Sequence, residues 1–494
     1  MKKILFFLLF LVVSTFDAVK AADYRVKSFG ARADGIYVNT AILQHAIDYV
    51  SQQGGGRLVF DSGIYVTGSL YLKSGVTLHL EKGAVLAGSI QPFDYVRDSL
   101  IGWTSLLFAY RQHDIGISGE GMIDGRGFEI ANRVIDYIHS GLISDQLKND
   151  RPNETMRPQN LYFRECTQVH IQGITLKDPG SWNETYDQCK NLLVENIRVD
   201  SKSYWNNDGI DVVDCDSVVI RNSYFDAADD GICFKSHDFT KICQNVVVDN
   251  CTIRSSANGL KFGTVSRGGF KNFKVTNLHV FDTYRSAITF AAVDGAEIEN
   301  IEVDGLKAIH TGNVIYLRIG DRWSGGKKPI MKNIRISNVY AEVPASKPDS
   351  GYNYEGPVED LPRNISPASI VGMPQYLIQD VYLTNIEMVY PGGGNPYYAK
   401  RGTTDAELDS VPLMADKYPE FSQFKELPAW GVYVRYAQGI HFENVRLTAK
   451  QRDYRPAVVL DYVTNAMVKG LSFNEPDSKK KKQLFIHQSK YIKK

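Results

Sequence analysis

The feature that most constrains this chain is a repeat. Short apolar lines of strand type return at Asp114-Ile115-Gly116-Ile117, Gln168-Val169-His170-Ile171, Asn191-Leu192-Leu193-Val194, Ser217-Val218-Val219-Ile220 and Asn245-Val246-Val247-Val248. Further copies stand at Asn272–Val275, Ala296–Glu299, Lys332–Ile336, Gln379–Leu383 and Gly439–Phe442. A Ser, Asn or Gly turn enters most copies, and an Asn often follows. The regular spacing is about 23 to 28 residues, with no helical period, which is the signature of a stacked solenoid. The fold class expected is all-β: a right-handed parallel β-helix with an N-terminal capping helix and long loop insertions.

A solenoid needs its open apolar end covered. Ile42, Leu43, Ala46, Ile47 and Val50 share one face of a helix expected over Thr40–Gln52, and Gly54-Gly55-Gly56 ends it. Strands are expected at Arg57–Phe60, Gly63–Thr67, Ser69–Leu72 and Val76–Leu80. Residues 1–22 read as an export leader: Lys2 and Lys3 precede the apolar Ile4–Val13, and small residues surround Ala21-Ala22. The domain is therefore expected over 23–478, with 479–494 a solvated basic tail, in an exported protein, periplasmic or secreted. Three insertions interrupt the repeat: Phe128–Glu154, Pro344–Ile365 and Pro391–Pro428, the last carrying Tyr397, Tyr398, Tyr418, Phe421 and Phe424. Loops this long in a solenoid act as lids or walls.

With 56 basic and 56 acidic residues, nothing points to a nucleic-acid partner, and no stretch after the leader is apolar and long enough to span a membrane. Six cysteines lack a CxxC pair. Cys166, Cys189 and Cys215 recur at the coil period, which suits a buried ladder of mostly free thiols with one disulfide left open.

Chemistry concentrates between Trp205 and Ser236. Asn206-Asn207-Asp208-Gly209 is followed one coil later by Asp229-Asp230-Gly231. Strands in neighbouring coils lie ~4.8 Å apart, so Asp208 is expected one or two rungs from Asp229 and Asp230. Carboxylates that close push each other's pKa values apart, which suits general acid and base work on a glycosidic bond. Aspartate is also a common turn residue, but two clusters one coil apart favour chemistry over turn-making.

These residues resemble the polygalacturonase-type glycoside hydrolases, family 28. The resemblance is carried by Val26–Ala31 with Asp34-Gly35, Gly63-Ile64-Tyr65, Ile123–Gly127, Arg157-Pro158, Pro179–Trp182, Asn206–Gly209, Asp229-Asp230 and Lys235-Ser236. It implies hydrolysis by inversion, with Asp229 as general acid, its pKa raised by its neighbours, and Asp208 and Asp230 holding and deprotonating water. Inversion implies carboxylates ~6.5 to 9.5 Å apart. Two family motifs are absent. Asn258 stands where a Gly-His-Gly histidine belongs, and no Arg-Ile-Lys follows. Lys261 and Arg285 are the leading replacement cations, with Arg267, Arg318 and Arg322 behind them.

The substrate-binding set expected is therefore Asn206, Asn258, Lys261, Arg285, Lys235 and Arg318, with Trp182, Trp205 and Trp430 as sugar platforms. No metal or organic cofactor is implied. The function expected is hydrolysis of pectic polysaccharide or oligosaccharide, exo-acting because the insertions close one end of the cleft. Two rivals stand beside it: a β-helix lyase or epimerase using Lys261 as base, and a non-catalytic carbohydrate-binding β-helix.

Overall fold

The structure is a computed structural model. It describes residues 22–145, 151–346, 348, 366–394, 402–477 and 481–494. Residues 1–21 of the expected leader, Tyr397 and Tyr398, and most of Pro344–Ile365 lie outside these residues.

The strands wind into a right-handed parallel β-helix whose rungs are joined in parallel ladders. The expected repeats are its rungs: Thr167–Gln172 pairs with Lys190–Glu195, and that strand with Asp216–Arg221. Each bend needs a backbone that tolerates left-handed φ. Asn196, Asn222, Asn250, Asn277, Asn338, Asn385 and Asn444 supply it at one corner, with φ of 51–55°. Asn adopts that region more readily than other non-glycine residues. Side chains of these residues also bond along the axis, as from Asn385 to Asn338 at 3.1 Å and Asn444 to Asn385 at 2.9 Å. The Asn that often follows an apolar line is this corner.

Inside, alternate residues of each strand stack into a core. Val212, Phe234, Phe262 and Phe290 occupy one register, with ring centroids 5.4 Å apart for Phe234–Phe262 and 4.5 Å for Phe262–Phe290. Each such side chain contributes about 1.5–3 kcal/mol by leaving water. The helix Thr40–Gln52 buries Leu43, Ala46, Ile47 and Val50 against the first rungs, as the periodicity predicts. The Phe128–Glu154 insertion opens as a helix, Gly127–His139. All six cysteines are free and buried, and Cys189 N donates to Cys215 Sγ at 3.2 Å.

The other end departs from expectation. Leu484–His487 pairs with Val458–Asp461, and Lys490–Lys493 extends the same rung, so most of 479–494 is the final coil, not a solvated tail. Leu484, Ile486 and Ile492 pack on the core, covering an edge that would otherwise lie open.

Glu184 faces inward, fully buried, and accepts a 2.6 Å bond from Tyr186 OH. Burial pushes its carboxyl up from 4.5 to about 8, against the Tyr186 bond. Its folded-state pKa exceeds the unfolded value, so its contribution is complete below pH 4.5 and is lost as pH rises through about 8. Melting temperature should therefore fall across that window in the wild type and much less in Glu184→Gln, as measured by calorimetry in a pH series.

Candidate active site

One outer sheet face carries the chemistry. Along it, Thr185, Asp211, Cys233, Lys261, Thr289 and Tyr316 stand in register on successive rungs, pointing outward. The turns entering these strands stack as well. Asn183 N donates to Asp208 O at 3.2 Å, Gly209 N to Asp230 O at 2.8 Å, Gly231 N to Asn258 O at 2.8 Å and Gly259 N to Ser286 O at 2.9 Å. Asp208, Asp230 and Asn258 therefore hold the same position on three consecutive rungs. The glycine after each makes this approach possible. A Cβ on Gly209 would lie 2.3 Å from Gly231 O, and one on Gly231 would lie 2.3 Å from Ile253 Cγ2.

Two side chains fix the Asp208 turn from behind. Asn207 is fully buried; its amide donates to Pro179 O and Ser181 O and accepts from Tyr204 N at 2.6 Å. Arg157 donates to Gly180 O at 2.7 Å, Trp205 O at 2.6 Å and Asn206 Oδ1 at 2.8 Å. Asn206 Oδ1 thus accepts from this guanidinium and from Arg151 at 3.0 Å.

The acids meet as the rung spacing predicts. An oxygen of Asp208, an oxygen of Asp230 and Cys233 Sγ all lie within 4.8 Å of one another. Asp229, at the lip, is partly exposed and accepts from its neighbour's Asp230 N at 2.9 Å. Asp208 and Asp230 are held differently. Burial drives the Asp208 carboxyl well above its usual range, and Asp211 and Asp229 add to this; Lys235 at 3.3 Å only partly offsets it. The ammonium of Lys235 lies closer to Asp211, at 2.6 Å. Burial acts on Asp230 too, but Lys261, Arg285 and Lys235 outweigh it and hold the group below its usual range. Its Oδ2 accepts from Lys261 Nζ at 2.6 Å, and its Oδ1 from Asn258 Nδ2 at 2.7 Å and Asn258 N at 3.1 Å. The carboxyl of Asp208 is thus strongly raised while that of Asp230, one rung on, is held down.

The 402–427 segment covers one side. Tyr418 OH accepts from Lys261 Nζ at 2.8 Å, and Glu420 pairs with Arg285 at 2.7 Å. Beyond them Leu408, Val411, Phe421, Phe424 and Leu427 cover the outward-facing Tyr316, Val371, Tyr433 and Val459. On the other side Trp182 lies beneath Lys235 Nζ, 4.2 Å from its ring centre, and packs on Trp103 at 4.7 Å.

Of the expected residues, Asp208, Asp229, Asp230, Lys235, Asn258, Lys261 and Arg285 come together. Arg318 does not. It is buried and donates to the carbonyls of Val371, Gly372 and Leu413, anchoring the covering segment. Trp430 is likewise core, edge-on to Tyr390. Asp211 and Glu420 were missed. Asp211 was visible three residues after Asp208, at strand alternation that points it outward; Glu420 sits in an insertion with no repeat to place it.

Residues 71–287 match the family model of the glycosyl hydrolases family 28. Over this stretch the chain is similar to that family. An exo-poly-alpha-D-galacturonosidase of Dickeya chrysanthemi is 25% identical over 249 residues, 42% of this chain and 41% of that protein, so the chain matches less than half of that relative's length. The family 28 exopolygalacturonase of Yersinia enterocolitica shares the fold at TM-score 0.60 and 18% identity, over 96% of this chain and 79% of that one. The exopolygalacturonase of Thermotoga maritima does so at TM-score 0.59 and 21% identity, over 75% and 87%.

Lys261→Met would leave a buried carboxylate without its closest cation, at a cost of about 3 kcal/mol in stability. It should also raise the pKa of Asp230 and move the acid limb of the pH–rate profile to higher pH. An unmoved limb would detach Asp230 from the chemistry.

Proposed function

We propose that this protein is an exported, exo-acting hydrolase of pectic polysaccharide or oligosaccharide that works by inversion. The observation that carries the reading is the pair Asp208 and Asp230, on adjacent rungs but with one carboxyl pushed above its usual range and the other held below it, with Asp229 at the lip beside them. Asp230, ionised beneath Lys261 and Asn258, takes a proton from water as that water attacks the anomeric carbon. Asp208, keeping its proton, orients the same water. Asp229 gives its proton to the leaving oxygen as the C–O bond breaks. Water thus adds across the bond, and the enzyme regains its starting state by returning one proton from Asp230 to Asp229 through solvent. Two groups acting in one displacement on opposite faces of the sugar invert the anomeric carbon.

Exo action is supported by the 402–427 segment, which walls the sheet face one rung beyond Lys261. The Trp103–Trp182 pair supports a platform for the sugar rings on the open side. Export rests on the leader reading of residues 1–22.

Asp229→Asn should lower turnover by about 10²–10⁴-fold with unchanged circular dichroism, read as reducing ends released from pectic oligosaccharides. Wild-type activity in that variant would remove Asp229 from the acid role. Proton NMR of the first product should show the inverted anomer, and chromatography should show one small product from the start. A ladder of oligomers would contradict exo action, and absorbance near 230 nm would signal elimination.

A further inference from the structure

The cations that a charged substrate would need are already paired with the protein's own acids. Lys235 is committed to Asp211 at 2.6 Å and Lys261 to Asp230 at 2.6 Å. Arg285 is committed to Glu420 at 2.7 Å, with side chains only 11% and 7% exposed. Arg322 forks onto both oxygens of Asp294 at 2.9 Å. The Tyr418 ring lies over three of these cations, 5.1 Å from Lys261, 5.9 Å from Arg285 and 5.6 Å from Arg322. The next cation along, Arg267, turns to His237 O at 3.3 Å and the Phe239 ring.

We propose that the sugar whose glycosidic bond is broken is uncharged, and that Glu420 enforces this by occupying Arg285 in place of a substrate carboxylate. The inference rests on the hydrolase reading and names the sugar class at its reacting subsite. Charge balance supports it. With Asp208 and Asp229 holding the protons that the hydrolase reading gives them, Asp211, Asp230 and Glu420 balance Lys235, Lys261 and Arg285 one for one, and no cation is left over. A sugar carboxylate brought to this water-poor site would find each of these cations already paired with an acid of the protein, Arg285 with Glu420 among them; this is how a site rejects a wrong ligand. A hydroxymethyl or methyl group in the same place meets the Tyr418 ring without that penalty.

The test uses the full wild-type chain and free monosaccharides. These have no glycosidic bond to a second sugar, so binding is read whether or not the protein hydrolyses anything. Titration calorimetry with galactose, rhamnose and galacturonate should show one neutral sugar binding at least about tenfold more tightly than galacturonate. Glu420→Gln should narrow or reverse that ratio by freeing Arg285. Galacturonate binding as tightly as both neutral sugars, or no binding by any of the three, would overturn the inference. If the wild-type ratio is as predicted but no pectic oligosaccharide is cleaved, the hydrolase reading fails while the neutral subsite stands. Should Glu420→Gln not fold, the wild-type ratio decides alone.

Discussion

Rung spacing is the constraint on which the rest of this molecule depends. Neighbouring strands cannot lie much farther apart than ~4.8 Å and still share hydrogen bonds. Any residue type repeated at one turn position is therefore repeated at that distance in space. At most positions the consequence is structural, as in the corner asparagines and the phenylalanine stack. At the turn holding Asp208 and Asp230 the consequence is electrostatic, because two buried carboxylates on adjacent rungs cannot both ionise cheaply. The surrounding cations are not shared evenly between them. Lys261 and Asn258 serve Asp230 on both oxygens, while Lys235 leans towards Asp211 and leaves Asp208 to its burial. One carboxyl is thereby pushed above its usual range and its neighbour held below it.

The same backbone that creates the pair also fixes it. Gly209 and Gly231 admit the close approach of successive turns, and Arg157 ties the Asp208 turn to two earlier segments through carbonyls. These groups act on position. Asn258 does so while standing where family 28 relatives of the resemblance carry histidine. It cannot share a proton, but its amide and backbone N–H orient Asp230, and the charge that a histidine would bring comes from Lys261. The loss of one motif residue is in this sense answered on the next outward position of the same rung.

The solenoid was legible because its cause is local and repeated. An apolar line, a turn and an asparagine recur at a coil's length, and each copy points to the same architecture. Asp208, Asp229 and Asp230 could be brought together from sequence for the same reason, since register carries them. What escaped the reading is what register does not control. Tyr418 and Glu420 reach the site from an insertion more than a hundred residues away, where no period says which side chains turn inward. Arg318 looked like a substrate cation because a charged residue on an outward strand position looks free; the covering segment buries it. The last coil was mistaken for a tail because its lysines hide the alternating Leu484, Ile486 and Ile492.

The central claim is that adjacent rungs separate the protonation of Asp208 and Asp230. Carbon-13 NMR of the side-chain carboxyls in aspartate-labelled protein tests it most directly, with Asp208→Asn and Asp230→Asn used to assign the two signals. The account predicts a protonated-carboxyl shift for Asp208 and an ionised one for Asp230 at neutral pH. Two ionised signals, or the proton found on Asp230, would contradict it.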